Sequence, residues 1–114
     1  MIKRTLSELK TRYRLHSSKD VFVEGNSDKK YFQAVARSLS VSDVIFYSID
    51  SVEFDKGVIK NYGLSPKLNR DRVVALMLFL SSDSTFPLGI IDRDYSDWRP
   101  DNHSSNRVIY TCFA

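Results

Sequence analysis

Three carboxylates stand where this sequence could do chemistry. Glu24 closes the run Val21-Phe-Val-Glu, Asp92 closes Gly89-Ile-Ile-Asp, and Asp94 follows two residues later. Each run is short and apolar, the pattern of a buried strand that stops at an acid. If both strands lie in one parallel sheet, their carboxyl ends share an edge, where open α/β sheets place ligands. Such carboxylates repel one another, and burying them unpaired costs several kcal/mol. A divalent cation would neutralise them. Mg²⁺ accepts carboxylate oxygens and leaves positions open for phosphate oxygens, so the chemistry indicated is metal-assisted phosphoryl transfer. Asp92 and Asp94, spaced i and i+2 in an extended segment, point to one side, with Arg93 facing the other way. The plainer reading is that doubly wound folds collect acids at this edge anyway. Asp94 could then pair with Arg93 or Arg99, or cap the next turn.

The elements that must position these residues follow from periodicity. Val21–Val23 reads as a strand, Gly25 permits a tight exit, and Asn26 or Ser27 can cap the next helix. Asp28 falls in that helix's first turn, where a negative charge favours the helix dipole. Tyr31, Phe32, Val35, Ala36 and Leu39 form one apolar stripe along it. Residues 44–49 make a second strand, entered through the serine-rich turn at 40–43. Residues 50–67 show no clear period beyond a short helical turn at Val58 and Ile59, a loop of the size that carries function. Asn69 can cap a helix over 70–81, apolar nearly all round and therefore buried. Residues 88–91 and 107–114 are the third and fourth strands, separated by a polar loop. Ahead of all these, Ile2, Leu6, Leu9 and Tyr13 recur at helical spacing over 2–15. The opposite face carries Lys3, Arg4, Lys10, Arg12 and Arg14, either a solvated surface or a basic arm for a phosphate backbone.

The order of elements predicts an α/β fold. It is a single three-layer domain with a four-stranded, mainly parallel sheet flanked by helices, because parallel strands need helical crossovers. The basic helix, 1–17, precedes the domain proper, 18–114.

At 114 residues the chain has room for one modest core. Seventeen Lys and Arg against fourteen Asp and Glu leave +3, a balance that permits a nucleic-acid partner without demanding one. One cysteine, Cys112, excludes an internal disulfide and points to a reducing compartment. The charged N-terminus lacks a signal-peptide core, and the longest apolar run is too short to span a bilayer, so a soluble cytoplasmic protein is expected. Lys29 and Lys30 open a helix beside Glu24 and could meet a nucleic-acid phosphate, or simply be solvated. Tyr95 and Trp98 flank the acidic loop and could stack on a base or pack on the sheet. His16 and His103 have no metal-ligand spacing. Ser27 and Ser51 have no histidine partner for nucleophilic catalysis.

The combined pattern Val-Glu-Gly-Asn-Ser-Asp-Lys-Lys-Tyr-Phe and Gly-Ile-Ile-Asp-Arg-Asp-Tyr resembles the Toprim domain. Within that family it most resembles the OLD-like, AriB-type nucleases of bacterial anti-phage defence, over about residues 18–114. The resemblance implies a Rossmann-like Toprim fold and a Mg²⁺- or Mn²⁺-dependent nuclease cleaving DNA or RNA beside an ABC-like ATPase partner. A homodimer is compatible with it. It also implies that Glu24 is a metal ligand or general acid/base and that Asp92 and Asp94 are metal ligands; Lys29, Lys30 and Arg93 are the candidate nucleic-acid contacts beside them. Two departures accompany it. Family members continue past the fourth strand and often supply another acid there, so a C-terminally truncated chain is expected. Asp50-Ser51 replaces a glycine after the second strand, and Asp50 could join the site. The alternative is a truncated or non-catalytic Toprim module that binds a partner or nucleic acid without hydrolysis. A receiver- or flavodoxin-like domain would need phosphate-binding or phospho-acceptor features that are not seen.

Overall fold

The computed structural model describes residues 3–15, 18–80, 87–92 and 108–111, with the side chains of Lys56, Asp92 and 108–111 left aside. The chain runs β1 (Arg4–Thr5), α1 (Leu6–Leu15), β2 (Asp20–Val23), α2 (Asn26–Ser38) and β3 (Ile45–Ser48). A 3-10 turn (Ile49–Ser51), β4 (Val52–Glu53), α3 (Lys56–Asn61), α4 (Asn69–Phe79), β5 (Leu88–Asp92) and β6 (Val108–Thr111) follow. This is an α/β domain with parallel sheets flanked by helices, as the periodicity predicts. The larger sheet has the order β3-β2-β5-β6, every pairing parallel. A second, two-stranded sheet pairs β1 with β4, which the sequence does not predict.

Two faces can be told apart by register. Phe22 is opposite Tyr47 on one side and Gly89 on the other, so these three share a face. The Phe22 and Tyr47 rings stack there, centroids 5.4 Å apart. α4 packs on this face so closely that a Cβ on Gly89 would stand 2.7 Å from Val73 Cγ1 and 3.0 Å from Met77 Cγ. Glycine there lets helix meet strand. Val73 to Met77 are buried in one core with Leu6, Leu9, Phe22, Ile49, Val52, Ile59 and Ile91. The N-terminal helix therefore contributes to the common core and is more than a basic appendage.

Val21 is opposite Phe46, on the other face. α2 lies here, with Phe32 stacked on Phe46 at 6.2 Å. The sequence predicts a core-facing stripe on α2, yet no α2 residue is buried. Tyr31, Val35 and Leu39 are exposed. The cause is position: α2 packs chiefly on β3, a four-residue edge strand too small to cover its whole apolar side.

The ends of α1 show how short-range chemistry sets boundaries. Thr5 Oγ1 accepts from the Glu8 amide at 3.2 Å, and the Thr5 amide donates to Glu8 Oε1 at 3.4 Å, a capping box. It starts the helix at Leu6, later than the apolar spacing suggests. At the other end, Tyr13 donates its hydroxyl to buried Asp20 at 2.5 Å, and Arg12 Nε lies 3.7 Å from the same carboxylate. Burial first, then the hydrogen bond to Asp20, pushes the Tyr13 phenol well above its ordinary value. Arg12, expected on a solvated basic face, is in fact turned toward the sheet.

The 50–67 segment is not a bare loop. Asp55 caps α3 through the Gly57 amide at 2.9 Å, so Val58 and Ile59 do lie in a helical turn. Gly63, at φ 73°, ends it in the left-handed conformation that glycine adopts without penalty.

Candidate functional site

The carboxyl edge of the larger sheet is built where the chain leaves β2, β3 and β5. Val23 is opposite Ser48 on β3 and Ile90 on β5. Glu24 is the next residue after Val23, Asp50 is two past Ser48, and Asp92 is two past Ile90 and ends β5. Backbone register thus brings Glu24, Asp50 and Asp92 to one edge, with Glu24 and Asp92 on neighbouring strands. From β2 the chain crosses by α2 to β3 on one side, and later returns through α4 to β5 on the other. The gap between the ends of β2 and β5 is therefore the point where strand order reverses, the usual ligand crevice of an open α/β sheet.

Glu24 is half-buried at this corner. Its backbone carbonyl accepts from Asn69 Nδ2 at 2.9 Å. The sequence casts Asn69 as the cap of α4. Instead α4 begins at Asn69 itself, Leu68 is the N-cap, and no side chain caps the helix. The asparagine spans 45 residues to fix the end of β2, and no local pattern could announce that tie. The approach to α4 is held as well. Buried Asp71 accepts from the Ser65 amide at 2.8 Å, and Arg72 Nε donates to the Pro66 carbonyl at 2.7 Å.

Gly25 plays a different part from the expected tight turn. It is the N-cap of α2 with extended backbone, φ −157°, ψ 177°, and a Cβ there would meet nothing within 4 Å. Neither conformation nor packing demands glycine. Neither Asn26 nor Ser27 caps α2; both lie inside it, and no side-chain cap bond is made. Asp28 sits in its first turn, as expected. The two lysines separate: Lys29 is half-buried and Lys30 exposed.

Asp50 is exposed in the 3-10 turn. Its amide donates to Ser48 Oγ at 3.3 Å, and the same hydroxyl lies 3.4 Å from Asp50 Oδ2. Ser51 Oγ donates to the Ser48 carbonyl at 2.7 Å, so this serine is engaged in a turn.

Arg93 and Asp94 lie outside the described residues, as do Tyr95, Trp98, His16, His103 and Cys112. Among the described residues no three His, Cys, Asp or Glu side chains gather into a metal-binding group. The donors that register does bring to the edge are all carboxylate-bearing, the hard-oxygen type that suits Mg²⁺ or Mn²⁺. Among the described residues no helix is long and apolar enough to cross a membrane. No protein-family model matches the chain, and no curated protein matches it.

Proposed function

We propose that the protein is a Mg²⁺- or Mn²⁺-dependent nuclease of the Toprim kind, hydrolysing phosphodiester bonds of DNA or RNA at the carboxyl edge of its larger sheet. One observation carries this reading. Glu24 directly follows β2 and Asp92 ends the neighbouring parallel strand β5, at the reversal point of strand order.

Glu24 and Asp92 would hold the ion, with Asp94 as a further ligand and Asp50 within the same edge. The bound ion supplies Lewis-acid polarisation of a phosphoryl oxygen and a more acidic water. The protein's own residues do the rest. Asn69 fixes the Glu24 backbone, so the carboxylate starts from a held position and pays less to orient. Where Glu24 does not ligate the ion, it would instead take a proton from the attacking water. Lys29, half-buried in the first turn of α2, would meet a phosphate of the chain, with Lys30 and Arg93 as further candidate contacts. The resemblance to OLD-like defence nucleases extends the proposal to an ATPase partner that activates cleavage.

The test is direct. Purified protein is incubated with labelled tRNA, single-stranded DNA and double-stranded DNA, with Mg²⁺ or Mn²⁺, with and without the ATPase. Cleavage is expected, and Glu24→Ala or Asp92→Ala should lower it by about 10²-fold or more. Inertness toward every substrate, with the ATPase present, would sink the proposal. A non-catalytic binding module is the second reading, favoured by the half-buried Lys29, which has no ion pair among the described residues. It predicts binding that persists in a chain that cuts nothing.

A further inference from the structure

A recess of about 190 Å³ opens beside the carboxyl edge, over the face that carries Phe22. Its walls come from segments distant in sequence: Arg4 from β1, Asn26 and Lys29 from α2, and Ser51 from the 3-10 turn. The stacked Phe22 and Tyr47 rings line it as well. No carboxylate lines it among the described residues. Arg4 and Lys29 are both half-buried, and neither makes an ion pair within the described residues. Holding two cations around one concavity without a counter-charge costs folding free energy. An anion relieves that cost when it binds.

Size and chemistry narrow the anion. The recess is smaller than the roughly 300–1,000 Å³ of pockets that enclose whole drug-sized ligands. It therefore admits a group, not an entire nucleotide. Arg4 offers a planar fork of donors, Lys29 a point charge, and Asn26 a neutral amide donor, together a set suited to a tetrahedral oxyanion. The half-buried Tyr47 ring, backed by buried Phe22, gives the apolar face of a sugar something to rest on. We propose that this recess is a phosphate site that takes one sugar-phosphate unit of a nucleic-acid strand or of a free nucleotide. Asn26 and Lys29 follow Glu24 by two and five residues, so the recess lies close to the Glu24 corner. The site does not depend on metal chemistry, and it adds Arg4, from the far end of the sequence, to the substrate-facing surface.

Binding is measured on the full chain in a chelator, where no cleavage can occur, so failure here is distinct from failure of the nuclease reading. A labelled single-stranded oligonucleotide, adenosine monophosphate and inorganic phosphate serve as separate probes. Arg4→Gln with Lys29→Gln should weaken oligonucleotide binding by about tenfold or more and flatten its salt dependence by about two phosphate contacts. Lys60→Gln, an exposed lysine on α3 outside the recess, should change it less than about twofold by the same reasoning. A double variant that melts no lower than the natural protein confirms that folding is intact. Loss of mononucleotide and phosphate binding in the double variant, with no oligonucleotide binding in any form, keeps the site and assigns it to a free nucleotide. Equal weakening by Lys60→Gln, or no change for any probe in the double variant, overturns it.

Discussion

Strand β2 carries an acid at each end, and the two are held in opposite ways. Asp20, its first residue, has a fully buried side chain that receives the Tyr13 hydroxyl and lies beside Arg12. Glu24, one residue past its last, is half-buried, and what is clamped there is its backbone carbonyl, by Asn69. At the amino end a side chain is spent on docking α1 to the sheet. At the carboxyl end the main chain is fixed through Asn69. The two ends of one strand are thus fixed by different means, and residue type alone does not distinguish them.

The largest expected effect breaks or upholds that contrast. Asp20→Ala removes the partner of the Tyr13 hydroxyl and of Arg12, leaving both to find other contacts. Arg12 is about a third exposed and can reach water, so the cost is below that of a fully buried pair, about 2–4 kcal/mol. Glu24→Ala, at a half-buried position on the sheet's carboxyl edge, should cost less stability than Asp20→Ala. Urea unfolding of the two variants side by side decides it. Equal losses would mean that Glu24 is structural too, and the functional reading of the carboxyl edge would weaken.

That contrast was only half legible in the sequence. Glu24 and Asp92 stand out because each closes an apolar run, and strand period is a local signal that survives into the fold. The α/β architecture follows from the same signal. Asp20 gives no such sign: in His16-Ser-Ser-Lys-Asp20 it reads as one more polar turn residue, and its burial depends on Tyr13 folding back onto it. The Thr5-Leu-Ser-Glu8 capping box was visible in principle, because its spacing is local. The β1–β4 pair was not, since two residues at each end of a long separation carry no pattern of their own. The α2 stripe shows the reverse failure. Its helical period is real, but a period cannot say how much sheet is available to cover it.

Asn69 sharpens the comparison from the other end. Asn69→Ala removes one half-buried hydrogen bond to the Glu24 carbonyl, worth about 1 kcal/mol. If that bond positions the acid, cleavage in Asn69→Ala should fall by more than the fraction unfolded accounts for, with substrate binding in chelator unchanged. A loss of stability with full cleavage would show that the clamp is only structural. Asn69→Asp discriminates further, because it keeps the size but removes the donor.

The smallest effect lies back at the amino end, where Lys19 Nζ and Asp43 meet at 2.6 Å just before β2 and β3. The hydrogen bond from Lys19, with the Asp43 backbone amide and the lysine charge adding to it, holds the Asp43 carboxyl below its ordinary value. A folded-state value below the unfolded one favours the ionised acid in the fold. The contribution is therefore present above the ordinary carboxylate value of about 3.9 and is lost as pH falls through the lower folded value. Both side chains are exposed, so the pair is screened and its effect small. The melting difference between the natural protein and Asp43→Asn should be slight at neutral pH, vanish on acidification, and shrink in high salt. The Asp20 difference, being buried, should persist in the same salt, because screening ions cannot reach between Tyr13 and a carboxylate with no exposed surface. A salt response shared by both would mean that α1 opens from the sheet in solution and that the amino end is less closed than the carboxyl end it is contrasted with.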